Sequence, residues 1–426
     1  MRVSSSRYQL VMMLPLLFVL MPRPEIEGIH YLIYAIIGLI VSMVLLLSLK
    51  NNFRFNKFFL LTLSLLYLYM LSIAFSIIFN VSNISLNSIF HLLKPIFFIL
   101  ILCLGYVVGK VKDIEAIKRG LLKSAYTILI FQVIVGITQL FDISIFSYIY
   151  SDKKARPIGE LVRITGTLAN PNLFAWIVLQ MTVIVYLFEK KKTKKIFWVV
   201  VGILLLLFSG SRSLFILTPI VLFMINIFLS RKSLSFYFVR FPIYLLSMAI
   251  MFSIAYWFIT KFGDHFPYLQ ELLRIIYTKD LTSVHSFHAR TVMWDDALYK
   301  FGSSENYLKW LFGIGAGSIS VLDNDYLYSF INYGLFNVFI SILIYLFFYI
   351  YFSRIADKEF STLGKQYILF SLIIGLQVET LSGWNFPVLI MYYTGIGISL
   401  LYNQRQIRES KTNIAYNKRC SETYCM

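Results

Sequence analysis

The stretch LLLLFSGSRSLFILTP, residues 204–219, places the permanent cation of Arg212 between two apolar runs. Lys195 and Arg231 flank these runs, and only 35 residues lie between them. The first arm, 196–211, extends about 24 Å at 1.5 Å per residue, which is less than the ~30 Å hydrocarbon thickness of a membrane. The stretch therefore predicts a tight helical hairpin whose turn, SGSRS, lies near one membrane boundary.

Composition also indicates a membrane protein. Hydrophobic residues make up 58% of the 426 residues and charged residues only 14%, whereas soluble domains are about a quarter charged. A soluble core cannot use so much apolar surface, so we expect an all-α polytopic membrane protein. The amino terminus resembles a signal peptide without a small-residue cleavage site, which favours an uncleaved first span. The three cysteines have no spacing typical of a disulfide or a metal site.

Apolar runs along the chain predict about twelve transmembrane helices. They lie at 8–22, 29–49, 58–79, 88–109, 121–141, 172–188, 196–210, 213–229, 241–260, 326–352, 366–380 and 384–402.

Lys and Arg are concentrated in alternate gaps between these runs, which predicts that both termini are cytoplasmic. The net charge of +18 then follows from topology, and no nucleic-acid partner is needed to explain it. Two long gaps face outside: 142–171 and, between spans nine and ten, 261–325. Residues 1–402 form a single transmembrane domain in this prediction, and 403–426 form a solvated, disordered cytoplasmic tail.

A cation recessed at the turn is costly unless water or an anion meets it. Arg212 could simply extend to the outer headgroups. The interpretation we favour is an anion site at the floor of an outward-facing cavity, because the planar guanidinium can donate two parallel hydrogen bonds to a phosphate.

A second polar segment on the same side is GELVRITGTLANPNLFAW, residues 159–176. Asn170 and Pro171 fit the N-cap and the first position of a helix. This capping role does not account for Arg163, which precedes the turn.

The large outer loop contains SVHSFHARTVMWDDALYKFG, residues 283–302. From Ala289 onward it predicts a helix with Arg290, Met293 and Ala297 on one face and Trp294 adjacent. The alternative is an amphipathic helix lying on the membrane.

Next comes WLFGIGAGSISVLDNDYLYSFINYG, residues 310–334. Its glycines predict a flexible loop that is not a nucleotide fingerprint, because no strand precedes it. Asp323 and Asp325 then enter span ten, where helix N-capping is an alternative for either. His285 and His288 have no third metal ligand at a useful spacing, so solvated loop histidines are the favoured interpretation. Glu379 ends span eleven as a counter-ion or an interface residue.

In their order these pieces resemble the O-antigen polymerase and O-antigen ligase superfamily of bacterial glycan assembly. The resemblance is carried by RITGTLANPN leading into a span, SGSRS between two short spans, HARTVMW in a large outer loop, and GIGAGSISVLDNDYL leading to NYGLFNVF. It covers about 160–340 and the twelve-span plan.

The resemblance implies a GT-C-like, all-helical glycosyltransferase that acts on undecaprenyl-diphosphate-linked sugars without a metal or cofactor. Arg212 and Arg290, together with Arg163, would hold the donor diphosphate. The ligase branch has a histidine where this chain has Asp323, which favours the polymerase branch. Asp323, Asp325 or His288 would then be the general base. We expect further substrate contacts from Asn170, Asn172, Trp294, Asn324, Tyr326 and Glu379.

The resulting hypothesis is a polymerase of lipid-linked repeat units in the bacterial cytoplasmic (inner) membrane, making O-antigen, capsule or exopolysaccharide. Its expected partners are membrane lipids, a chain-length regulator and a flippase. One alternative is an O-antigen ligase. A second is a flippase or transporter, which should carry charge through many spans, whereas these spans are nearly bare of charge. A third, non-catalytic scaffold explains the arginines poorly.

Overall fold

The computed structural model describes residues 14–23, 29–49, 56–80, 86–110, 113–146, 148–150, 163–168, 170–229, single positions and pairs between 242 and 261, 277–279, 285–319 and 322–423. Residues 14–20 are helical. The named helices are α1 Ile29–Leu49, α2 Lys57–Ile78, α3 Leu86–Gly109, α4 Ile114–Leu140, α5 Pro171–Phe188, α6 Lys192–Phe208, α7 Arg212–Leu229, α8 His285–Ser303, α9 Lys309–Phe312, α10 Asp325–Arg354, α11 Lys358–Ile374 and α12 Pro387–Thr423. Short 3-10 turns occur at Ser144–Phe146 and Gly166–Leu168.

The chain is an all-helical, membrane-embedded protein. Among the described residues, five helices are long and apolar enough to cross a membrane: α2, α3, α4, α5 and α10. The predicted runs from 29–49 through 213–229, and the runs 326–352 and 384–402, each overlap a helix over most of their length. The run 366–380 was misplaced, because its helix is Lys358–Ile374 and residues 375–380 lie in a loop. The run 8–22 is described only from residue 14 and is helical there to residue 20. The predicted run 241–260 falls mostly outside the described residues, and the total of twelve crossings stays a prediction.

Small residues bring α3 and α12 into close contact. A Cβ on Gly105 would lie 2.2 Å from the carbonyl oxygen of Tyr392, and a Cβ on Gly395 would lie 2.2 Å from that of Leu102. Helices in membranes associate mainly through such tight packing, since the lipid supplies no hydrophobic drive. Helix α3 also packs against α1 and α2.

Helix α10 is kinked at Gly334, whose backbone is left-handed at φ 81°. The kink frees carbonyl groups of the preceding turn: that of Ile331 accepts the amide of Ile314 at 2.9 Å, and that of Asn332 accepts the hydroxyl of Ser76. The glycine loop predicted to be flexible is thus hydrogen-bonded to the kink of α10. The motifs GIGAG and NYG form one packing unit.

The bundle has two distinguishable ends. At the end where α10 begins, here the upper end, the amide of Asp325 donates to the carbonyl of Gly375 at 2.7 Å. At the lower end, the buried ammonium of Lys118 lies 2.6 Å from Asp357 and 2.8 Å from Glu359. In the predicted topology the upper end faces outside.

The predicted disordered tail is wrong for most of its length, because α12 continues as one helix through Thr423. Nine of the residues in 403–423 are Gln, Arg, Glu or Lys, which are good helix formers. A helix already nucleated in the bundle propagates through such a segment at little cost.

Candidate functional site

The loop 375–386 joins α11 to α12 and folds over the start of α10. The buried carboxylate of Asp325 accepts hydrogen bonds from Thr380 Oγ1 at 2.7 Å, from the amides of Leu381 and Ser382 at 3.0 Å each, and from Ser382 Oγ. Both carboxylate oxygens are therefore occupied by fixed donors. Asp325 anchors the loop, and this arrangement does not favour the predicted role as a general base.

Asn324 is the N-cap of α10, since its side chain accepts the amide of Leu327 at 3.0 Å. The capping alternative considered for Asp323 and Asp325 is therefore wrong. Asp323 lies one residue before this cap and has left-handed backbone geometry at φ 50°, which is uncommon for a residue other than glycine.

Arg290 and Asp323, both predicted site residues, form an ion pair. Arg290 Nε lies 3.2 Å from Asp323 Oδ2, with the two side chains 21% and 35% exposed. The two terminal nitrogens of Arg290 make no hydrogen bond to any described part of the chain. As far as the described residues go, the end of the guanidinium that carries these two nitrogens is unoccupied, and it can donate two parallel hydrogen bonds to a phosphate.

Helix α8 positions this arginine. It begins at His285, earlier than the predicted Ala289. Ala297 and Phe301 are buried, and Trp294 Nε1 donates to the carbonyl of Leu322 at 2.7 Å. This face packs against protein, and the alternative of a helix lying on the membrane stays a prediction for the opposite face.

Met293 was predicted to share the face of Arg290, but its side chain is exposed. The inward stripe follows residues 290, 294, 297 and 301, which is the ordinary i, i+4, i+7 and i+11 pattern of a packed helix.

Glu379 joins the same group. Its Oε1 accepts the amide of Leu322 at 3.4 Å, one residue before Asp323. Glu379 lies in the loop outside the helices, where burial raises its pKa to about 7. The charge of Lys94 opposes this rise, and Asp325 and Asp323 add to it. A carboxyl group poised near neutral pH is suited to proton transfer.

Lys94 is a site residue that the sequence analysis missed. It is buried in α3, donates to the carbonyl of Ser382 at 2.7 Å, and lies 5.7 Å from the ring centre of Trp384. Its charge acts on both Glu379 and Asp325. The apolar spans are thus not bare of charge at this point, and a lysine followed by Pro95 inside an apolar run was the available signal.

The predicted segment 163–172 and the turn SGSRS also come together. Arg163 Nε donates to the carbonyl of Ser209 at 2.9 Å, and Ser211 Oγ donates to Asn172 Oδ1 at 3.2 Å. Arg163 therefore satisfies a carbonyl at the end of α6, which is a structural role, and its predicted phosphate contact stays a prediction.

The remaining predicted residues have separate environments. Asn170 caps α5 through the amides of Asn172 and Leu173, as predicted. Tyr326 donates its hydroxyl to the carbonyl of Leu372 at 2.7 Å, and His288 is exposed on α8. The side chains of Arg212 and His285 lie outside the described residues. Within the described residues, no three His, Cys, Asp or Glu side chains are grouped as metal ligands.

These contacts define a helical membrane protein with a charged, aromatic-lined site at one end of its bundle. Comparison with protein-family models and with curated proteins gave no match for this chain.

Proposed function

We propose that the protein is a polysaccharide polymerase of the bacterial cytoplasmic membrane. It joins undecaprenyl-diphosphate-linked repeat units at the outer face of the membrane, within a GT-C-like fold of about twelve spans. The observation that carries this proposal is the ion pair between Arg290 and Asp323, set beside Glu379 at the upper end of the bundle. A guanidinium of a kind suited to phosphate thus lies near the carboxylates of Asp323 and Glu379, and both Arg290 and Asp323 belong to the predicted outer loop.

The reaction needs both a cation that binds phosphate and a carboxylate that can accept a proton. The acceptor hydroxyl forms a bond to the anomeric carbon of the donor sugar while the bond from that carbon to the diphosphate breaks. The diphosphate leaves with the bonding electrons, and fixed guanidinium groups stabilise the negative charge that develops on it. Arg290 is the described residue best placed for this, and Arg212 and Arg163 are the further predicted donor ligands.

The hydroxyl proton must pass to a base. Asp323 is our first candidate, because it is partly exposed and lies beside Arg290. Glu379 is a second candidate that the structure adds, since its pKa of about 7 matches the task. Asp325 is less suited, because four donors already occupy its oxygens. His288 is exposed and stays a weaker candidate.

Two alternatives remain open to test. A ligase would use the same donor chemistry but pass finished glycan to a different acceptor. A flippase for lipid-linked oligosaccharide gains some support from the buried charge of Lys94 in α3. Among the described residues the other buried charges are few, and Lys118 lies at the opposite end of the bundle in an ion-pair cluster. They do not form the series expected along a translocation path, so polymerisation is the preferred proposal.

The test is the size distribution of surface glycan in a deletion strain. The strain is complemented with wild type, Arg290→Gln, Arg290→Lys, Asp323→Asn or Arg212→Ala. Arg119→Gln, an exposed lower-end arginine paired with Asp113, is the matched control. We expect single repeats from the deletion and from Arg290→Gln, and full-length glycan from the control.

Other outcomes point elsewhere. Loss of all surface glycan with polymer accumulating on its lipid outside would indicate a ligase. Single repeats trapped inside would indicate a flippase. Full activity in Arg290→Gln, with expression equal to wild type, would remove this arginine from the site.

A further inference from the structure

Lysines dominate the junction of α5 and α6, where they occupy five of the six positions 190–195. Lys190 connects this junction to the lower end of the bundle, because its ammonium lies 3.4 Å from Glu115, which also contacts Lys118. We name residues 190–195 the lysine patch. Its exposed lysines are Lys190, Lys191, Lys192 and Lys194. The patch therefore presents a compact positive surface at the lower end.

Aromatic rings lie directly beside the lysine patch. The ammonium of Lys194 lies 4.4 Å from the ring centre of Tyr126, and that of Lys195 lies 5.5 Å from the ring centre of Tyr186. The ring of Tyr126 in turn lies 5.3 Å from that of Trp198. Tyrosine and tryptophan are concentrated at the boundary between the hydrocarbon and the headgroups of a membrane. These rings indicate that the lysine patch lies at the level of the headgroups.

An exposed apolar stripe on α6 continues upward from the lysine patch. Its members are spaced three or four positions apart, which places them on one face of the helix. They are Ile196, Val200, Leu204 and Leu207, each between 43% and 53% exposed. In a membrane-embedded helix, a stripe of this kind faces the acyl chains of lipids.

The register of α6 sets two lysines on either side of this stripe. Thr193 is exposed and lies on the same face as the stripe, one turn below Ile196. Successive residues of a helix are about 100° apart, so Lys192 and Lys194 flank Thr193 on its two sides. Long lysine side chains extend readily toward headgroups. The lower end of the stripe is thus bordered by two ammonium groups and a hydroxyl.

We propose that the lysine patch and the apolar stripe of α6 bind a phospholipid with a negatively charged headgroup. The acyl chains lie along the stripe, and the phosphate lies near Thr193 between the ammonium groups of Lys192 and Lys194. Lysine binds phosphate as a compact positive charge, and basic clusters beside membrane helices attract anionic headgroups. This site is at the opposite end of the bundle from Arg290 and is independent of the proposed function.

A phospholipid is the occupant that fits both parts of this surface. An acidic protein segment or free phosphate would bind the lysines but would leave the apolar stripe without a partner. Orientation of the chain in the membrane requires only that the positive charges be present, and it does not account for their position on both sides of one lipid-facing stripe. The combination of charge and stripe therefore favours a lipid.

The test measures lipid binding to the purified full-length chain in detergent by native mass spectrometry. The probes are phosphatidylglycerol and phosphatidylethanolamine with identical acyl chains, and inorganic phosphate and a polyglutamate peptide are measured in parallel. One variant combines Lys192→Gln with Lys194→Gln, and a second replaces the same two lysines by arginine. Lys57→Gln combined with Lys358→Gln is the matched control, because it removes two exposed lysines from the lower end outside the patch. Gel-filtration profiles establish that each variant is folded.

We expect wild type and the control to bind phosphatidylglycerol in preference to phosphatidylethanolamine. Each lysine lost from the patch should weaken phosphatidylglycerol binding roughly 5-fold, and loss of both should weaken it about 25-fold. Binding of phosphatidylethanolamine should change little, and the double arginine variant should retain most of the affinity for phosphatidylglycerol.

Several results would overturn the proposal. Equal binding of the two lipids to wild type would do so without any variant, so the test holds even if the double glutamine variant does not fold. Wild-type affinity in the double glutamine variant, or an equal loss in the control, would show that the patch does not form a specific site. Tighter binding of phosphate or of the peptide than of phosphatidylglycerol would assign the patch to a soluble anion.

Discussion

Replacing Asp325 by alanine tests whether this carboxylate is structural or catalytic. The change leaves two buried amides and two hydroxyls of the 380–382 stretch without their acceptor. Each charge-assisted hydrogen bond contributes about 1.5–3 kcal/mol, and each orphaned buried donor costs about 1–3 kcal/mol. These terms are not additive, and disrupting a buried charged site typically costs about 3–5 kcal/mol. We expect a loss of that size in the free energy of unfolding.

The corresponding change in the thermal midpoint follows from the entropy of unfolding. At about 2.1 cal/mol/K per residue, a chain of this length loses roughly 1 °C for each kcal/mol. Membrane helices keep part of their structure when the protein unfolds, so the true entropy is smaller and the shift larger. Asp325→Ala should therefore lower the midpoint by at least about 3 °C. The thermal midpoint of Asp325→Asn should lie between those of wild type and Asp325→Ala. The asparagine side chain keeps one acceptor oxygen, but its NH2 group would face the hydrogen-bond donors of the 380–382 stretch.

The assay is tryptophan fluorescence of the purified protein in detergent during heating, with glycan synthesis measured separately at a permissive temperature. Asp296→Ala is the matched control. Asp296 pairs with Lys300 on the exposed face of α8, and both side chains are more than half exposed, so its loss should cost about 0–0.5 kcal/mol. An Asp325→Ala protein with the wild-type thermal midpoint and no activity would refute the anchoring role and would indicate that the carboxylate is catalytic.

Three further predictions concern other parts of the fold. Gly334→Ala should destabilise the protein by about 2 kcal/mol or more, because the position is left-handed and a Cβ would lie 2.2 Å from the carbonyl oxygen of Leu311. In the same thermal assay the control Gly302→Ala should be neutral, since nothing lies within 4 Å of a Cβ at that position. Equal effects of the two substitutions would contradict this account. If Glu379 is the base, wild-type activity should rise with pH through about 7, and Glu379→Gln should lack this inflection. Because the pKa of Glu379 is raised in the folded protein, its contribution to stability is present below its unfolded pKa and is lost as the pH rises through about 7. Relative to wild type, the glutamine variant should therefore gain stability at about pH 8 but not at low pH. Lys118→Met should cost about 2–3 kcal/mol, since it leaves Asp357 and Glu359 without their cation, and it should leave the glycan length distribution unchanged at permissive temperature.

The helices could be predicted from the sequence, because a membrane requires apolar runs of nearly fixed length. The run 29–49 matches α1 at both ends, and Asn170 caps α5 as its position before Pro171 indicated. In these cases the residue types and their local positions were enough to predict the helix and its cap. The face of α8 was harder, because the same spacing allowed Met293 or Trp294 to point inward, and only the packing partner at Leu322 decides between them.

The contacts of the site were beyond the sequence for a physical reason. Lys94 meets Ser382 across 288 positions, and Arg23 meets Asn385 across 362. No local periodicity encodes which distant loop reaches a buried cation. Their only local signal is a charged residue in or beside an apolar run, which the expense of burying charge makes significant by itself.

The ion pair of Arg290 with Asp323 bears on how donor binding and proton transfer would be connected under the proposed function. Both side chains are partly exposed, so the pair contributes only about 0–1 kcal/mol. A diphosphate carries more negative charge than one carboxylate and can use two guanidinium nitrogens at once. Bound at the two terminal nitrogens, it would compete with Asp323 for the charge of Arg290 and could release the weak contact from Nε at little cost. The freed carboxylate would then lie beside the leaving group with a vacant proton site, so that the base becomes available only when the donor is bound.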